Sequence, residues 1–413
     1  MRTSGPFETL NRVKVLVVGS GGREHALAWK LAQSEGLDEL HAAPGNPGIA
    51  RLGSCHPVRA EDGESLLELA RSLGIDLVVV GPEAPLVAGV GDRLRHGGVA
   101  VFGPSAAAAR IEGSKSFAKE VMRAAGVPMA EPLAVARPPC VVKLDGLAAG
   151  KGVFVCHTRA ELEEALAAVG GTDRPIVIEE LLEGDELSVF ALCDGRNAVA
   201  VPAAQDYKRI GDGDTGPNTG GMGSFSPAPG DVEEIVESVH RPVLTELASR
   251  GTPFVGVLYA GLMLTAEGPR VLEFNCRFGD PETQSILPRI EGDLLEALWA
   301  AATGDEAPEL AEADPAAVTV VLAGRDYPAR GDSGTPIEGI GDAEAAGALV
   351  FHAGTALRGD ALVTNGGRIL NVTGVGPDVA AARSAAYEAV EAISFDGMRY
   401  RSDIAATEAR VGG

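Results

Sequence analysis

The sequence is short of paired cysteines. Its five, Cys55, Cys140, Cys156, Cys193 and Cys276, are scattered, odd in number and form no CxxC pair. That spacing fits neither a disulfide framework nor a zinc site and points to a reducing cytoplasm. Long apolar runs are missing too. None reaches membrane-spanning length, and the start, MRTSGPFETLNR, lacks the hydrophobic core of a signal peptide, so residues 1–12 read as a short disordered extension. Positive charge is scarce: 35 Lys and Arg stand against 58 Asp and Glu, a formal net charge of −23 spread along the chain. The summed field repels polyanions, so neither nucleic acid nor an anionic membrane is an expected partner, while a local basic site for a small phosphate is still allowed. There is no internal repeat and no low-complexity segment.

Apolar material is ample, 45% of 413 residues, which suggests roughly three domains. Val13–Gly19 (VKVLVVG) reads as a buried strand running into GSGGREHALAWKLAQ, with a tight turn at Gly19, Gly21 and Gly22 and a helix over Glu24–Gln33. Backbone N–H groups at such a turn attract phosphate. Strands at Leu40–Ala43, Asp76–Val80 and Val99–Phe102, separated by helices such as Ser65–Leu73, imply a parallel α/β sheet. A dinucleotide-binding domain is excluded. Glu24 replaces the third glycine of GxGxxG, and the strand that should end in a ribose-binding acid ends in Ala42-Ala43-Pro44.

Downstream, Lys115 and Lys119 lie four apart on a helix capped by Gly126 and stopped by Pro128. Lys143 sits in the apolar strand Cys140–Leu144, followed by the glycine-rich turn DGLAAGKGV carrying Lys151. A buried lysine is costly unless it meets an anion; the alternative is an edge strand with Lys143 in solvent. The strand Ile176–Glu180 closes on two carboxylates, Glu179 and Glu180, and Glu186 follows after a turn; ribose hydroxyls and an exocyclic amine are typical partners, a solvated edge the plainer one. Gln205–Phe225 (QDYKRIGDGDTGPNTGGMGSF) holds six glycines and no hydrophobic periodicity, so it reads as a long functional loop. Its Asp206, Lys208, Arg209, Asp212 and Asp214 suit a zwitterionic ligand. A helix at Asp231–Arg250 precedes a hairpin of Pro253–Leu264 with VLEFNCRFGDPETQ (Val271–Gln284).

In that last stretch Val271, Glu273, Asn275 and Arg277 alternate with Leu272, Phe274, Cys276 and Phe278, the period of a strand with one buried face. A carboxylate and an amide oxygen about 6–7 Å apart suit Mg²⁺, and an arginine one step on would meet a phosphate held by the metal. A half-solvated strand polar on one side is the alternative. A helix over Ser285–Ala302 follows. Short strands at Val318–Ala323, Leu349–His352 and Arg368–Val375, with a final helix Val379–Ile393, read as a small α+β domain.

Two lysines, a pair of acids ending a strand and a terminal Glu-x-Asn-x-Arg strand stand in an order that resembles the ATP-grasp enzymes. More narrowly, GGREHALAWK, APGNPG, VGPEAPLV, EGSKSFAK, DGLAAGKGV, DTGPNTGGMG, LYAGLM, EFNCRFGDPETQ, FHAGT and VTNGGR resemble the phosphoribosylamine–glycine ligase (glycinamide ribonucleotide synthetase) family, in family order from Val13 to about Asp403. The resemblance implies an N-terminal parallel α/β (pre-ATP-grasp) domain at 13–104, an ATP-grasp fold at 105–303 and a C-terminal α+β domain at 304–413. The implied reaction converts ATP, glycine and 5-phosphoribosylamine to glycinamide ribonucleotide, ADP and phosphate through glycyl phosphate, with Mg²⁺ or Mn²⁺, in a cytoplasmic monomer of de novo purine biosynthesis. Implied ATP contacts are Lys115, Lys143, Lys151, Glu179, Glu180, Leu182 and Glu186. Substrate contacts are Gly21, Gly22, Arg23, Asn46, Gly48, Glu83, Asp212, Asp214, Gly279 and Asp280; the metal falls to Glu273 and Asn275, and catalysis to Lys143, Arg277 and Asp214. Two segments are shorter than in the family, AEPLAVARPPC before Lys143 and Ala167–Arg174, the latter where a longer flap covers the triphosphate. A protein of the same fold without turnover would instead bind ATP and release no ADP.

Overall fold

The computed structural model describes residues 12–147, 152–171 and 174–411. The N-terminal unit is a parallel five-stranded sheet of Val13–Gly19 (β1), Leu37–Pro44 (β2), Ser54–Cys55 (β3), Leu77–Val80 (β4) and Ala100–Phe102 (β5), in the order β3-β2-β1-β4-β5. The β-branched run of β1 is almost wholly buried because helices cover both faces. They are Gly22–Leu31 (α1), Gly63–Leu73 (α2), Glu83–Val87 (α3) and Val90–His96 (α4). Asp62 caps α2 by accepting the Ser65 N–H, and Gly74, at φ 66°, ends it in the left-handed region.

Two helices, Ala106–Gly113 (α5) and Lys115–Ala125 (α6), lead into a three-stranded antiparallel sheet of Cys140–Leu144 (β6), Val153–Cys156 (β7) and Ile176–Glu180 (β8), ordered β7-β6-β8 and backed by Arg159–Val169 (α7). The second sheet is larger. Asp185–Asp194 (β9), Ala198–Asp206 (β10), Gly223–Ser226 (β13), Val255–Thr265 (β14) and Gly268–Asn275 (β15) continue into strands 316–323, 368–376 and 349–352, eight in all and antiparallel throughout. Phosphate-site candidates lie between these two sheets.

The expected loop at Gln205–Phe225 is mostly strand. Its ends belong to β10 and β13, and Arg209–Gly211 (β11) pairs with Thr215–Asn218 (β12) as a hairpin. Strand β13 then pairs with Ala317–Val320, so this segment joins the third region to the second by main-chain hydrogen bonds. The helix expected over Asp231–Arg250 starts as Val232–Ile235 (α8), widens into a π-helical turn at 236–240 and resumes as Arg241–Ser249 (α9), with Pro242 in its first turn. The helix expected over Ser285–Ala302 is interrupted: Glu282–Ile286 (α10) ends at a 3₁₀ turn holding Pro288, and Leu294–Thr303 (α11) starts afresh on the Asp293 cap.

The even alternation expected for Val271–Phe278 also fails. Gly261 pairs with Glu273 but Leu262 pairs with Val271, so Leu272 is an extra residue without a partner on β14. This β-bulge turns Val271 inward with Phe274, while Arg277 lies beyond the end of the strand. No helix among the described residues is long and apolar enough to cross a membrane.

Candidate active site

The bulge has a use. The Leu272 carbonyl, freed from the β14 ladder, accepts the Lys143 ammonium at 2.9 Å across the cleft between the sheets. Lys143 is 5% exposed, which rules out the edge-strand alternative, and its counter-ion is Glu179 Oε2 at 3.0 Å. Lys119, on α6, reaches the same oxygen at 3.3 Å. Glu179 is 1% exposed and its other oxygen, Oε1, has no partner among the described residues. Lys115 begins α6, where Ser114 caps the helix, and donates to Gly146 O at 3.1 Å. Burial lowers the pKa of Lys115, only partly offset by Glu273 and Asp145. Glu273 receives the opposite treatment. Burial would raise its pKa, but Lys143, Lys208, Lys115 and Arg277 outweigh that and hold it below the ordinary carboxylate value. Asn275 follows on the same face of β15, opposite Tyr259.

Other expected residues are otherwise engaged. Glu180, next to Glu179 and so on the opposite face of β8, pairs with Arg270 at 2.6 Å and accepts the Glu131 N–H. Glu186 is bonded to Lys208, and Leu182 is buried just past β8. Lys151 lies outside the described residues. Asp212 and Asp214 turn to the C-terminal segment: Asp212 accepts the Ser402 N–H, and Asp214 pairs with Arg401 at 2.7 Å. Arg401 is 1% exposed and is neutralised by Asp214 and Asp403. Asp280 is held by Arg368 at 3.0 Å, next to Gly279 and the start of α10.

The N-terminal turn is extensively bonded within the chain. Glu24 reaches back to the Gly21 N–H at 2.6 Å, so a carboxylate of the chain itself occupies the start of α1. It fills the space between two turns: a Cβ on Gly19 or Gly81 would come within 2.6 or 2.1 Å of it. Arg23 is buried, donates to Glu24 at 2.6 Å and to Phe278 O at 3.1 Å, and so links this turn to the segment after β15. Gly22 packs on Asn371 and Gln284. Asn46 is spent on the backbone: its Oδ1 takes the Gly48 and Ile49 N–H groups, and its Nδ2 donates to His352 O at 2.8 Å. Gly48 has no Cβ because His25 would be 2.2 Å from it. Beside this turn lies a cavity of about 320 Å³ lined by Gly19, Ser20, Gly21, Glu24, Pro44, Arg59, Ala60, Glu61 and Pro82. It sits at the carboxyl ends of β1, β2 and β4, where the strand order reverses, and Arg59 is the cation on its wall.

A buried polar network went unread as such. Ser188 Oγ meets Tyr259 Oη at 2.8 Å, and Tyr259 Oη donates to Glu282 Oε1 at 2.9 Å. Asp206 has Lys208 at 3.7 Å, and burial, opposed by Lys208 and reinforced by Glu282, Glu186 and Glu273, pushes its pKa up to about 7. Asp206 and Lys208 were visible as charges in a supposed loop; Tyr259 and Glu282, on separate elements, carried no local signal.

Matches to known families cover nearly the whole described chain. Residues 13–112, 113–283 and 317–407 match the N domain, the ATP-grasp (A) domain and the C domain of phosphoribosylglycinamide synthetase. The chain belongs to this family. A phosphoribosylamine–glycine ligase of Rhizobium meliloti is 50% identical, with 95% of this chain and 98% of that protein covered. The crystal structure of phosphoribosylamine–glycine ligase from Thermotoga maritima superposes with a TM-score of 0.83 at 36% identity, over 95% of this chain and all of that one. The biotin carboxylase domain of Hydrogenobacter thermophilus 2-oxoglutarate carboxylase, solved with MgADP, shares the fold at 16% identity and TM-score 0.69, covering 94% of this chain and 91% of that one. The ligase is an ATP-dependent enzyme that joins glycine to 5-phosphoribosylamine in purine biosynthesis, and its ATP-grasp fold implies use of ATP with a divalent metal.

Proposed function

We propose that the ligase works through glycyl phosphate, formed in the cleft between Lys143 and Glu273. The observation that carries this is charge placement: a chain of net charge −23 surrounds one half-buried carboxylate with Lys143, Lys208, Lys115 and Arg277. Such a gathering of cations suits a triphosphate, and Glu179 Oε1, without a partner among the described residues, suits an exocyclic amine of the base. Glu273 and Asn275 would hold the metal, Mg²⁺ by the hardness of their oxygens, and it would neutralise phosphate charge when bound. Among the described residues no three His, Cys, Asp or Glu side chains converge as a metal site, so phosphate oxygens and water would supply the remaining ligands.

A glycine carboxylate oxygen attacks the γ-phosphorus and ADP leaves. The phosphoribosylamine nitrogen then attacks the acyl carbon, and phosphate departs with that oxygen. The chain's share is positioning: Lys115 and Lys143 align the phosphates, and the folded-over sheet β6–β8 keeps water from the acyl phosphate. The phosphoribosyl group fits the crevice at β1, β2 and β4, with Arg59 for its phosphate. Supplying glycine with ¹⁸O in its carboxylate tests the intermediate. Label should appear in inorganic phosphate; phosphate free of label would eliminate an acyl phosphate.

A further inference from the structure

Arg277 is aimed by its surroundings. Its Nε lies 3.3 Å from Glu83 Oε2, its Nη1 donates to Phe278 O at 3.1 Å, and its Nη2 lies 3.4 Å from Glu112 Oε1. A guanidinium carries five N–H donors in a rigid plane. Three directions are thereby committed, and one N–H on each terminal nitrogen is left to point elsewhere. Arg277 keeps 17% of its side chain exposed, so those donors have an outlet.

Glu112 differs from Glu83 in what else it holds. Its Oε2 accepts the Cys276 N–H at 2.8 Å, the first amide after the metal strand ends at Asn275. One carboxylate, with its side chain 8% exposed, therefore grips both the peptide following Asn275 and the guanidinium of the next residue. It also stands at the end of α5, two residues before Ser114, the cap of the helix that begins with Lys115. Burying a carboxylate here is costly, and beside Glu83 it is costlier; Arg277 between them offsets part of that cost, and the Glu112 pKa stays above the ordinary value.

We propose that Glu112 is a positioning residue for the phosphoryl transfer: it sets Arg277 and the end of the metal strand in register with the α6 lysine. It acts only through groups it holds, and the inference rests on the reading that Arg277 faces the transferring phosphoryl group. Glu112→Gln keeps the size and an acceptor for Cys276 but removes the charge that orients the guanidinium. The variant should lose about 10- to 100-fold in kcat, with KM for ATP and the affinity for a non-hydrolysable ATP analogue changed less than about threefold. In an Arg277→Met background the same substitution should have almost no further effect on kcat, because its target is gone.

Arg277→Met alone separates the two readings. If it turned over normally, the assignment of Arg277 would fail and the inference with it. If it lost turnover while E112Q kept wild-type kcat, only the positioning role would be overturned. Additive losses in the double variant, or a matching rise in nucleotide KM, would also overturn it, since both mark a general structural effect. Should E112Q not fold, E112D retains the charge and shortens its reach by a methylene; it should show the same fall in kcat at unchanged nucleotide KM, and wild-type kcat would refute the role.

Discussion

Replacing Lys143 by methionine keeps the apolar stem and removes the ammonium that joins the two sheets. In the folded protein that ammonium meets Glu179 Oε2 at 3.0 Å and Leu272 O at 2.9 Å. Deleting one partner of a buried pair costs about 3–5 kcal/mol when the remaining charge is left alone. Here Lys119 stays 3.3 Å from Glu179, so the loss should fall near the bottom of that range. The stranded Leu272 carbonyl adds about 1 kcal/mol. A total of roughly 3–4 kcal/mol lies within the stability of an ordinary domain, about 5–15 kcal/mol, so the variant should fold and melt several degrees lower. Turnover should fall by roughly 10²–10³, the cost of removing one preorganised charge from the transition state. Lys119→Met is the control. It removes the other partner of Glu179 and strands Ala130 O instead, so its stability loss should be similar while kcat changes only a few-fold. ADP release and thermal unfolding of both variants decide it. Wild-type turnover in K143M would remove Lys143 from the chemistry, and equal loss in K119M would mean that the Glu179 ion pairs and not phosphate contact are what the activity needs.

Glu273→Gln should leave the fold intact and raise the Mg²⁺ concentration for half-maximal activity about tenfold or more, since one of two protein ligands loses its charge; an unchanged midpoint places the metal elsewhere. Arg59→Ala should raise KM for phosphoribosylamine roughly tenfold, the value of one charge-assisted hydrogen bond, with KM for ATP unaffected; the reverse pattern would detach the crevice from that substrate. Asp214→Asn should keep kcat within about threefold and cost under about 1 kcal/mol, because Asp214 is 69% exposed and Arg401 retains Asp403; a collapse of kcat would restore Asp214 to the chemistry. Acid should loosen the first region from the third. His25 Nδ1 accepts the His352 N–H at 2.8 Å, and burial holds the His25 pKa down to about 3. The unfolded chain takes up that proton near pH 6.5, so stability is constant above 6.5 and falls as pH drops toward 3, by on the order of 4 kcal/mol. In His25→Asn, which keeps an acceptor but cannot titrate, the melting temperature should fall less steeply between pH 6.5 and 4; an identical slope would assign the acid loss to other groups.

Much of this molecule was legible in one dimension. The parallel α/β start follows from alternating buried runs and helices, and Glu24 in place of a third glycine argues against a dinucleotide. Lys143 in an apolar strand pointed to a cation that meets an anion, with a solvent-facing edge as the alternative. The pair Glu273 and Asn275 stayed on one face, since two residues of separation survive the bulge upstream of them. Partners were beyond local reading. Arg277 is held by Glu83, 194 positions away, and Cys276 by Glu112, 164 away, and no periodicity encodes such distances. Gln205–Phe225 looked like a loop because strands this short carry little pattern; pairing with Ala317–Val320 makes part of it sheet. The bulge at Leu272 depends on how β14 lies beside β15, and register is a property of the pair. So local chemistry chose which side chains would be charged and buried, while the tertiary fold alone decided which of them already had a counter-ion and which were left for a ligand.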